Sequence, residues 1–259
     1  MSKGFTLIEL VVVLVVFGII AAMGSSFVVT SITAYNQAAE RNKLVERSRA
    51  VVERISRQLR IALPYSLRVS ASGNCIEFMQ LTGGANYEGI LPDSSNGAAA
   101  TSSILVSAFE LSLGAGVHLA VGAMHASEIY TTSAIASRAT IASLAGAPIS
   151  QINLSQPHTF LRNSINSRAY VMDSPERFCV SAGQMLHYSN YGLDTGTLGD
   201  SAPMGDSAVM SDDVSAIAPV FSLSPATESR NTLVAIQFAL SRQGETMNIQ
   251  HQVQVRNVP

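Results

Sequence analysis

Gly4-Phe5-Thr6-Leu7-Ile8-Glu9 opens the apolar tract that decides the fold of this chain. From Leu10 to Met23 no side chain is charged or carries an amide, and the apolar character continues as far as Ile32. That is roughly the 20 residues that a membrane-spanning helix needs. Glu9 lies inside the tract, where a lone carboxylate is costly unless it is paired or stays near the interface. The stretch therefore predicts a membrane helix whose acid has a function.

An ordinary secretory signal is the first alternative for this tract. The charged leader Met1-Ser2-Lys3 is very short, and Ala21-Ala22-Met23-Gly24 is only a weak match to a small-residue cleavage site. A secretory signal would also have an apolar residue where Glu9 stands. These features argue against an ordinary signal peptide.

The hexapeptide 4–9 resembles the class III signal of type IV pilins and type II secretion pseudopilins. The resemblance implies that a prepilin peptidase, a membrane aspartyl protease, cuts after Gly4 and methylates the new amino terminus of Phe5. It also implies the other partners: the inner membrane, an assembly platform protein, and other minor and major pilins. The leader is shorter than most in the family.

Within this resemblance, Glu9 matches the acid that sets the register between subunits. Phe5 and Glu9 are four residues apart, which places them on one face of a helix. In a filament, Glu9 of one subunit can neutralise the cationic amino terminus of its neighbour. Because that pairing is strong at low dielectric, it would fix the axial position of each subunit.

Composition argues against several classes of function. Of the 259 residues 13% are charged, about half the usual fraction, and the formal net charge is −2. Nothing in this balance points to a nucleic-acid partner. The five histidines lack metal-ligand spacing, and no nucleophile-elbow, P-loop or dinucleotide-binding motif occurs. We therefore expect no catalysis, no cofactor and no metal.

Cys75 and Cys179 are the two cysteines of the chain, and no CxxC motif occurs. If the domain that carries them is extracytoplasmic, a disulfide between them is the default expectation. The alternative is a pair of buried free thiols.

The chain divides into four expected segments in a pilin-like α+β fold. These are a leader at 1–4, a membrane and polymerisation helix at 5–32, an amphipathic helix at 33–64 and a β-rich extracytoplasmic domain at 65–259. Pro64 ends the helix, because helix continuation is disfavoured before a proline. The helix stripe expected to pack on an antiparallel sheet recurs at spacings of three and four: Leu44, Ser48, Val51, Ile55, Leu59 and Ala62.

One charge rule conflicts with this topology. Arg41, Lys43, Arg47 and Arg49 follow the apolar tract, whereas the leader has only Lys3 and the initial amine. A count of cations alone would place residues 41–60 in the cytoplasm. The resemblance implies the opposite orientation, with the leader inside and the globular domain in the periplasm.

Period-two patterns and turn residues predict the strands of the domain. Strands are expected at 66–70, 75–80, 104–113, 117–121, 168–172, 178–180, 185–188, 233–240 and 247–255. Loops are expected at 83–101 and 192–219, and residues 127–144 fit either a strand or a helix. The acidic stretch 194–213 is either a solvated loop or, less convincingly, a calcium loop. His251 falls on the apolar face of the last strand, where a structural role is expected.

The size, the Arg-rich helix, the hairpin around Cys179 and the Gln-rich last strand resemble the O-type minor pilins of mannose-sensitive haemagglutinin (MSHA) pili. This wider resemblance is diffuse. It implies a minor pilin that is incorporated in a pilus or primes its assembly. The alternatives are a minor pseudopilin of type II secretion, and a tip adhesin or DNA-uptake pilin. Residues 102–160 would be an insertion that carries subunit contacts or is merely a β region of low charge.

Overall fold

The computed structural model describes residues 4–112, 114–225 and 231–255. Two helices, α1 (Leu7–Arg60) and α2 (Ala126–Ile129), and a 3-10 turn (Pro64–Ser66) accompany thirteen strands. The strands are β1 (Arg68–Val69), β2 (Cys75–Asn86), β3 (Thr101–Phe109), β4 (His118–Val121), β5 (Ile135–Ala136), β6 (Arg138–Gly146), β7 (Ile149–Phe160), β8 (Arg168–Ser181), β9 (Gln184–Ser189), β10 (Asp206–Ser211), β11 (Val214–Ser224), β12 (Thr232–Arg242) and β13 (Glu245–Val255).

Helix α1 is continuous over 54 residues, which makes it about 80 Å long. It begins two residues later than the predicted segment at 5–32 and ends four residues before the end of the predicted segment at 33–64. Differences of a few residues are common at helix ends. The predicted stripe is confirmed, because Leu44, Ser48, Val51, Ile55 and Leu59 are its buried face and Ala62 is buried just beyond it. Pro64 follows the end of the helix, as expected.

Two sheets cover that stripe, and every strand pair in them is antiparallel except the short β5–β7 pair. The larger runs in the order β1-β2-β8-β4-β6-β7-β3, with β9 on the far half of β8 and β10 beside β9. The smaller is β11-β12-β13. Side chains of both sheets meet α1 in one core that includes Phe78, Phe178, Phe221, Phe238 and Ile236. The predicted α+β, pilin-like fold is confirmed.

The predicted hairpin around residues 181–184 is β8–β9. Strand β8 also pairs with β2, and this pairing brings Cys179 next to Cys75. Cys75 stands directly opposite Cys179 in the β2–β8 ladder. The two form the disulfide that the sequence predicts, and both are buried.

Residues 82–171 contribute a second core. The outer edge of β3 bonds back to the chain after β2: Tyr87 pairs with Val106, and the amide of Glu88 donates to the Leu105 carbonyl at 2.9 Å. The strands β2-β8-β4-β6-β7-β3 thus close on themselves as a barrel. Its interior is apolar and includes Ile104, Leu119, Val121, Ile152, Leu154, Phe160 and Val171.

The structure decides the segment left open at 127–144. It is neither one strand nor one helix: α2 is a single short turn, and β5 and β6 follow it. Residues 102–160, which the resemblance implies to be an insertion, are therefore mainly a β region of low charge. Whether it also carries subunit contacts stays a prediction.

Two predicted loops are wrong in part. Strand β2 continues to Asn86, inside the loop expected at 83–101, because the long β8 gives it a partner. The loop expected at 192–219 contains β10 and the first half of β11. Four of the six side chains of β10 are exposed in a row, so the strand lacks the alternation by which a sequence reveals a strand.

Removing the disulfide should lower the free energy of unfolding. Cys75 and Cys179 are 104 residues apart, and closing a loop of that size is worth about 4–5 kcal/mol in the chain-entropy treatment. We expect the double variant Cys75→Ala/Cys179→Ala to unfold at a markedly lower denaturant concentration. Reductant should shift the wild-type midpoint and leave that of the double variant unchanged. Equal midpoints for the oxidised wild type and the double variant would contradict the prediction.

Stability should also fall in mild acid because of His118 in the barrel. Burial, and then the nearby Arg138 guanidinium, lower the pKa of His118 to about 4, against the weaker opposing effect of Asp173. The folded state thus prefers the neutral ring. The contribution of neutral His118 to the free energy of unfolding is complete above the unfolded pKa of about 6.5. It is lost as the pH falls from about 6.5 to about 4, by up to about 3 kcal/mol.

The measurement is denaturant unfolding between pH 7 and pH 4. His118→Asn should flatten the dependence of stability on pH across this window. His125→Asn is the matched control, because His125 is exposed and precedes α2 without contributing to the barrel core. A His118→Asn protein with the wild-type slope would refute the assignment.

Candidate functional site

The amino-terminal residues 4–6 precede the helix in exposed, non-helical chain. Thr6 is the N-cap residue, with φ −81° and ψ 146°, which is an extended conformation. A Cβ atom added at Gly4 would meet nothing within 4 Å. Among the described residues nothing covers Gly4, so the Gly4–Phe5 bond is exposed to a processing enzyme.

Glu9 lies in the first turn of α1. Its backbone amide donates to the Thr6 carbonyl at 3.1 Å, and the Thr6 hydroxyl lies 3.5 Å from the Glu9 carboxylate. A carboxylate in the first turn is favoured by the helix dipole. Within the described ranges Glu9 contacts no cation, so its charge is available to another molecule.

The predicted helical face shared by Phe5 and Glu9 is not what the structure shows. Because α1 begins at Leu7, Phe5 lies outside it. The spacing of four residues therefore does not by itself align the two groups before cleavage. The role of Glu9 toward a neighbouring amino terminus depends on the neighbour and stays a prediction.

The first half of α1 exposes apolar side chains all around its circumference. An 18-residue window near its start has a mean hydropathy of 2.8 and no buried residue, so α1 is long and apolar enough to cross a membrane. The hydroxyls of Ser25, Ser26, Thr30 and Thr33 donate to carbonyls three or four residues earlier. This bonding removes most of the cost of placing these hydroxyls in an apolar medium.

Ion pairs hold α1 where it leaves the sheets. Arg41 donates to Glu245 at 2.6 Å, and Lys43 donates to Glu40 at 2.8 Å. The hydrogen bond from Lys43 lowers the pKa of Glu40, and Arg242, at 3.6 Å, also favours the charged form. Arg41–Glu245 and Arg242–Glu40 thus connect α1 to the β12–β13 hairpin at the point where the exposed half of the helix begins.

A buried cluster of charges holds a loop over the larger sheet. Glu77 on β2 accepts from Arg177 on β8 at 2.9 Å and from Arg68 on β1 at 2.5 Å, and all three side chains are largely buried. Tyr191 also donates to Glu77 at 2.9 Å, while burial, then Glu77, raise the pKa of its hydroxyl. No sequence pattern predicted this cluster, and the one local signal of it is a glutamate in the middle of the apolar residues 75–79.

The same two arginines bind backbone carbonyls of the loop that follows Tyr191. Arg68 donates to the carbonyls of Asp194 and Gly196, each at 2.7 Å, and Arg177 donates to that of Ser201 at 3.1 Å. The cluster thus ties residues 194–201 to the sheet.

The acidic residues of this region do not converge. Asp200 accepts from Ser72, Asp206 from Asn190 and Asp212 from Gln184, and Asp213 lies near Arg47. In the part of the chain that the structure describes, no group of three or more His, Cys, Asp or Glu side chains is placed to hold a metal ion. The geometry favours structural roles for these carboxylates over a calcium loop.

Neutralising Glu77 should release the loop. Glu77→Gln leaves the buried Arg68 and Arg177 with only the more distant, part-exposed carboxylate of Asp194, at 3.9 and 3.4 Å, as a counter-charge. Breaking a buried ion pair in this way typically costs about 3–5 kcal/mol. We expect that loss in denaturant unfolding, together with faster amide exchange in residues 194–201. Glu245→Gln is the matched control: it breaks an ion pair with the exposed Arg41, which solvent screens, so the loss of stability should be much smaller. Similar losses in the two variants would contradict the role of the buried cluster.

Comparison with known proteins identifies only the amino-terminal segment. Residues 1–25 match a family model described as the prokaryotic N-terminal methylation motif. A search of curated proteins and a search of solved structures each return no match. The motif supports a type IV pilin or pseudopilin, a class of structural subunits that a prepilin peptidase processes and that assemble with other pilins. With the apolar half of α1, it indicates a protein anchored in the inner membrane.

Proposed function

We propose that this chain is a minor pilin of a type IV pilus of MSHA type, which enters the filament or primes its assembly. The observation that carries the proposal is the methylation motif on an exposed, non-helical Gly4–Phe5 bond, directly before an apolar helix with Glu9 in its first turn. The finer MSHA assignment rests on the diffuse resemblance in size, in the Arg-rich helix and in the Gln-rich last strand. A low-copy role is favoured because major pilins are usually smaller.

In this proposal the segments have distinct roles. Residues 1–4 are removed, and Phe5 becomes the methylated amino terminus. Residues 5–32 hold the subunit in the inner membrane and later in the filament core, residues 33–64 carry the amphipathic helix, and residues 65–259 form the periplasmic domain. Arg41, Lys43 and Arg47 each lie within 4 Å of a carboxylate in the fold. The rule counts cations and not net charge, so the orientation proposed here rests on the resemblance.

A minor pseudopilin of type II secretion is the second candidate, because the methylation motif fits both kinds of subunit. Glu9 bears on the position of the subunit in either assembly. A terminal cap has no neighbour above it whose amino terminus would receive the carboxylate, and related capping pseudopilins commonly lack this acid. We therefore place the chain below another subunit.

Two variants separate processing from assembly. Gly4→Arg should block cleavage and leave the full-length precursor in the membrane, because only the residue at the scissile bond has changed. Glu9→Val should be cleaved and N-methylated at Phe5 normally, since that bond is intact, but should enter filaments poorly. Mass spectrometry of the amino terminus measures cleavage and N-methylation. Crosslinking between subunits in membranes, together with a count of surface filaments, measures assembly.

The wild-type chain is the reference for both readouts. A mature protein that starts near Gly24, or no cleavage at all, would remove the basis of the proposal. A cleaved Glu9→Val protein that crosslinks and assembles like wild type would show that Glu9 sets no register, and the subunit could then be a cap.

A further inference from the structure

The last strand, β13, leaves a long edge unpaired. It pairs with β12 without interruption from Arg242↔Glu245 to Thr232↔Val255. The described part of the chain shows no backbone hydrogen bond on its other side. An unpaired strand edge is a template for pairing with another chain, and proteins usually block it with charges, proline, bulges or short strands.

The turn before β13 shows which residues face outward. Gln243 and Gly244 have φ values of 49° and 82°, which fit a two-residue type I′ hairpin. In such a hairpin the flanking residues Arg242 and Glu245 exchange hydrogen bonds, and bonded pairs then alternate along the ladder. Residues at odd positions of β13 thus bond to β12. The backbone N–H and C=O groups that point away from the sheet belong to Thr246, Asn248, Gln250, Gln252 and Gln254.

The side chains of these same residues are polar, uncharged and exposed, whereas Ile249, Val253 and Val255 are buried on the other face. Between Glu245 and Arg256 the strand contains neither a proline nor an acidic, lysine or arginine side chain. The edge therefore lacks the usual protections. Its amide side chains can also bond to those of an adjacent strand.

The other edges of the described strands are blocked. Strand β3 closes back onto the chain after β2. Strand β10 is six residues long, begins with Asp206 and has a register shift after Val209. The outer side of β11 bonds to the Gly73 and Gly183 carbonyls, and β1 has two residues. A second copy of this chain thus offers β13 no other long, regular edge.

Antiparallel pairing and exact twofold pairing of two β13 edges are excluded when both chains share one membrane. Glu245 contacts Arg41 and Met247 contacts Ser48, so β13 and α1 both run away from the apolar end of the helix. Antiparallel pairing of two β13 strands would point their membrane segments in opposite directions. Parallel pairing of two β13 edges about a twofold axis would place each residue opposite its own copy. The rotation would turn the two side chains to opposite faces of the sheet. Residues that stand opposite each other in a pleated sheet have side chains on the same face, so this pairing is excluded.

We propose that the free edge of β13 binds an extended strand of a different subunit in the assembly. The chemistry of the site defines that strand. It supplies backbone donors and acceptors along about nine residues of β13, with amide or hydroxyl side chains beside Gln250 and Gln252 and apolar side chains beside Ile249 and Val253. The inference rests on the proposed function for its setting, because that function supplies neighbouring subunits that stand in the same orientation.

Amide exchange tests the inference directly. The full-length wild-type chain, processed in its host, is compared as purified protein in detergent, as purified protein in lipid vesicles, and in assembled complexes isolated from cells. The five outward amides should exchange at least about tenfold more slowly in the assembled complexes than in detergent. The amides that bond to β12 should be protected in every sample.

The matched variants are Gln250→Pro and Gln250→Thr. Proline removes an outward N–H that bonds to nothing in the sheet, so β13 should still pair with β12. Gln250→Pro should lower the amount of chain in assembled complexes by at least about tenfold, and Gln250→Thr, which keeps the N–H, should assemble like wild type. If Gln250→Pro unfolds, Gln250→Lys/Gln252→Lys takes its place, because lysines block an edge without changing the backbone.

Fast amide exchange of the β13 edge in assembled complexes would overturn the inference, and so would normal assembly of the edge-blocked variant. Slow exchange of the edge in the purified chain alone in vesicles would also overturn it, because it would mean that copies of this chain pair with each other. Cleavage after Gly4 is measured on the same samples. Failure of cleavage counts against the proposed function, whereas an edge that stays unprotected in assembled, cleaved protein counts against the strand partner.

Discussion

One helix of 54 residues passes through two environments, and the rest of the structure depends on how it meets them. Its first half is apolar on every side, so it is stable only in lipid or among similar helices. Its second half buries a single stripe, from Leu44 to Leu59, against two sheets. Because the helix is continuous, the position of the domain relative to the membrane is set by where the buried stripe begins. The ion pairs of Glu40 and Arg41 lie at that point.

The sheet next to this helix also supports a second core. Strands β2 and β8 are long enough to serve both: the halves near the disulfide face α1, while the halves beyond Leu81 and Met172 belong to the barrel. The disulfide and the Glu77 cluster both cross the β2–β8 ladder in the half near the helix. Covalent and ionic constraints are thus concentrated in the helix-packing half of the ladder, and the continuous strands β2 and β8 connect that half to the barrel.

The features that follow from neighbours in sequence could be predicted, and those that depend on distant pairing could not. The helix stripe and the alternation of β13 each repeat with a fixed period over ten or more residues. The β8–β9 hairpin is marked by turn residues between two short apolar segments. Barrel closure depends on Tyr87 meeting Val106, and the charge cluster on Glu77 meeting Arg177, which is 100 residues away. No local pattern encodes either contact. The amino-terminal site was predictable because its chemistry lies in six consecutive residues, although the start of the helix at Leu7 separates Phe5 from the face that carries Glu9.

The same long helix explains why one strand edge is different from the others. The barrel removes the edge of β3 by closure, and β10 is shortened and bulged, so the chain protects its edges where nothing else constrains them. Strand β13 lies against α1 and runs in the same direction as the helix, away from its apolar half. A membrane-anchored helix fixes the direction of this strand in every copy, so two β13 edges cannot meet in antiparallel pairing. This restriction on pairing between copies favours a different subunit, held in the same orientation, as the partner that we propose for the edge.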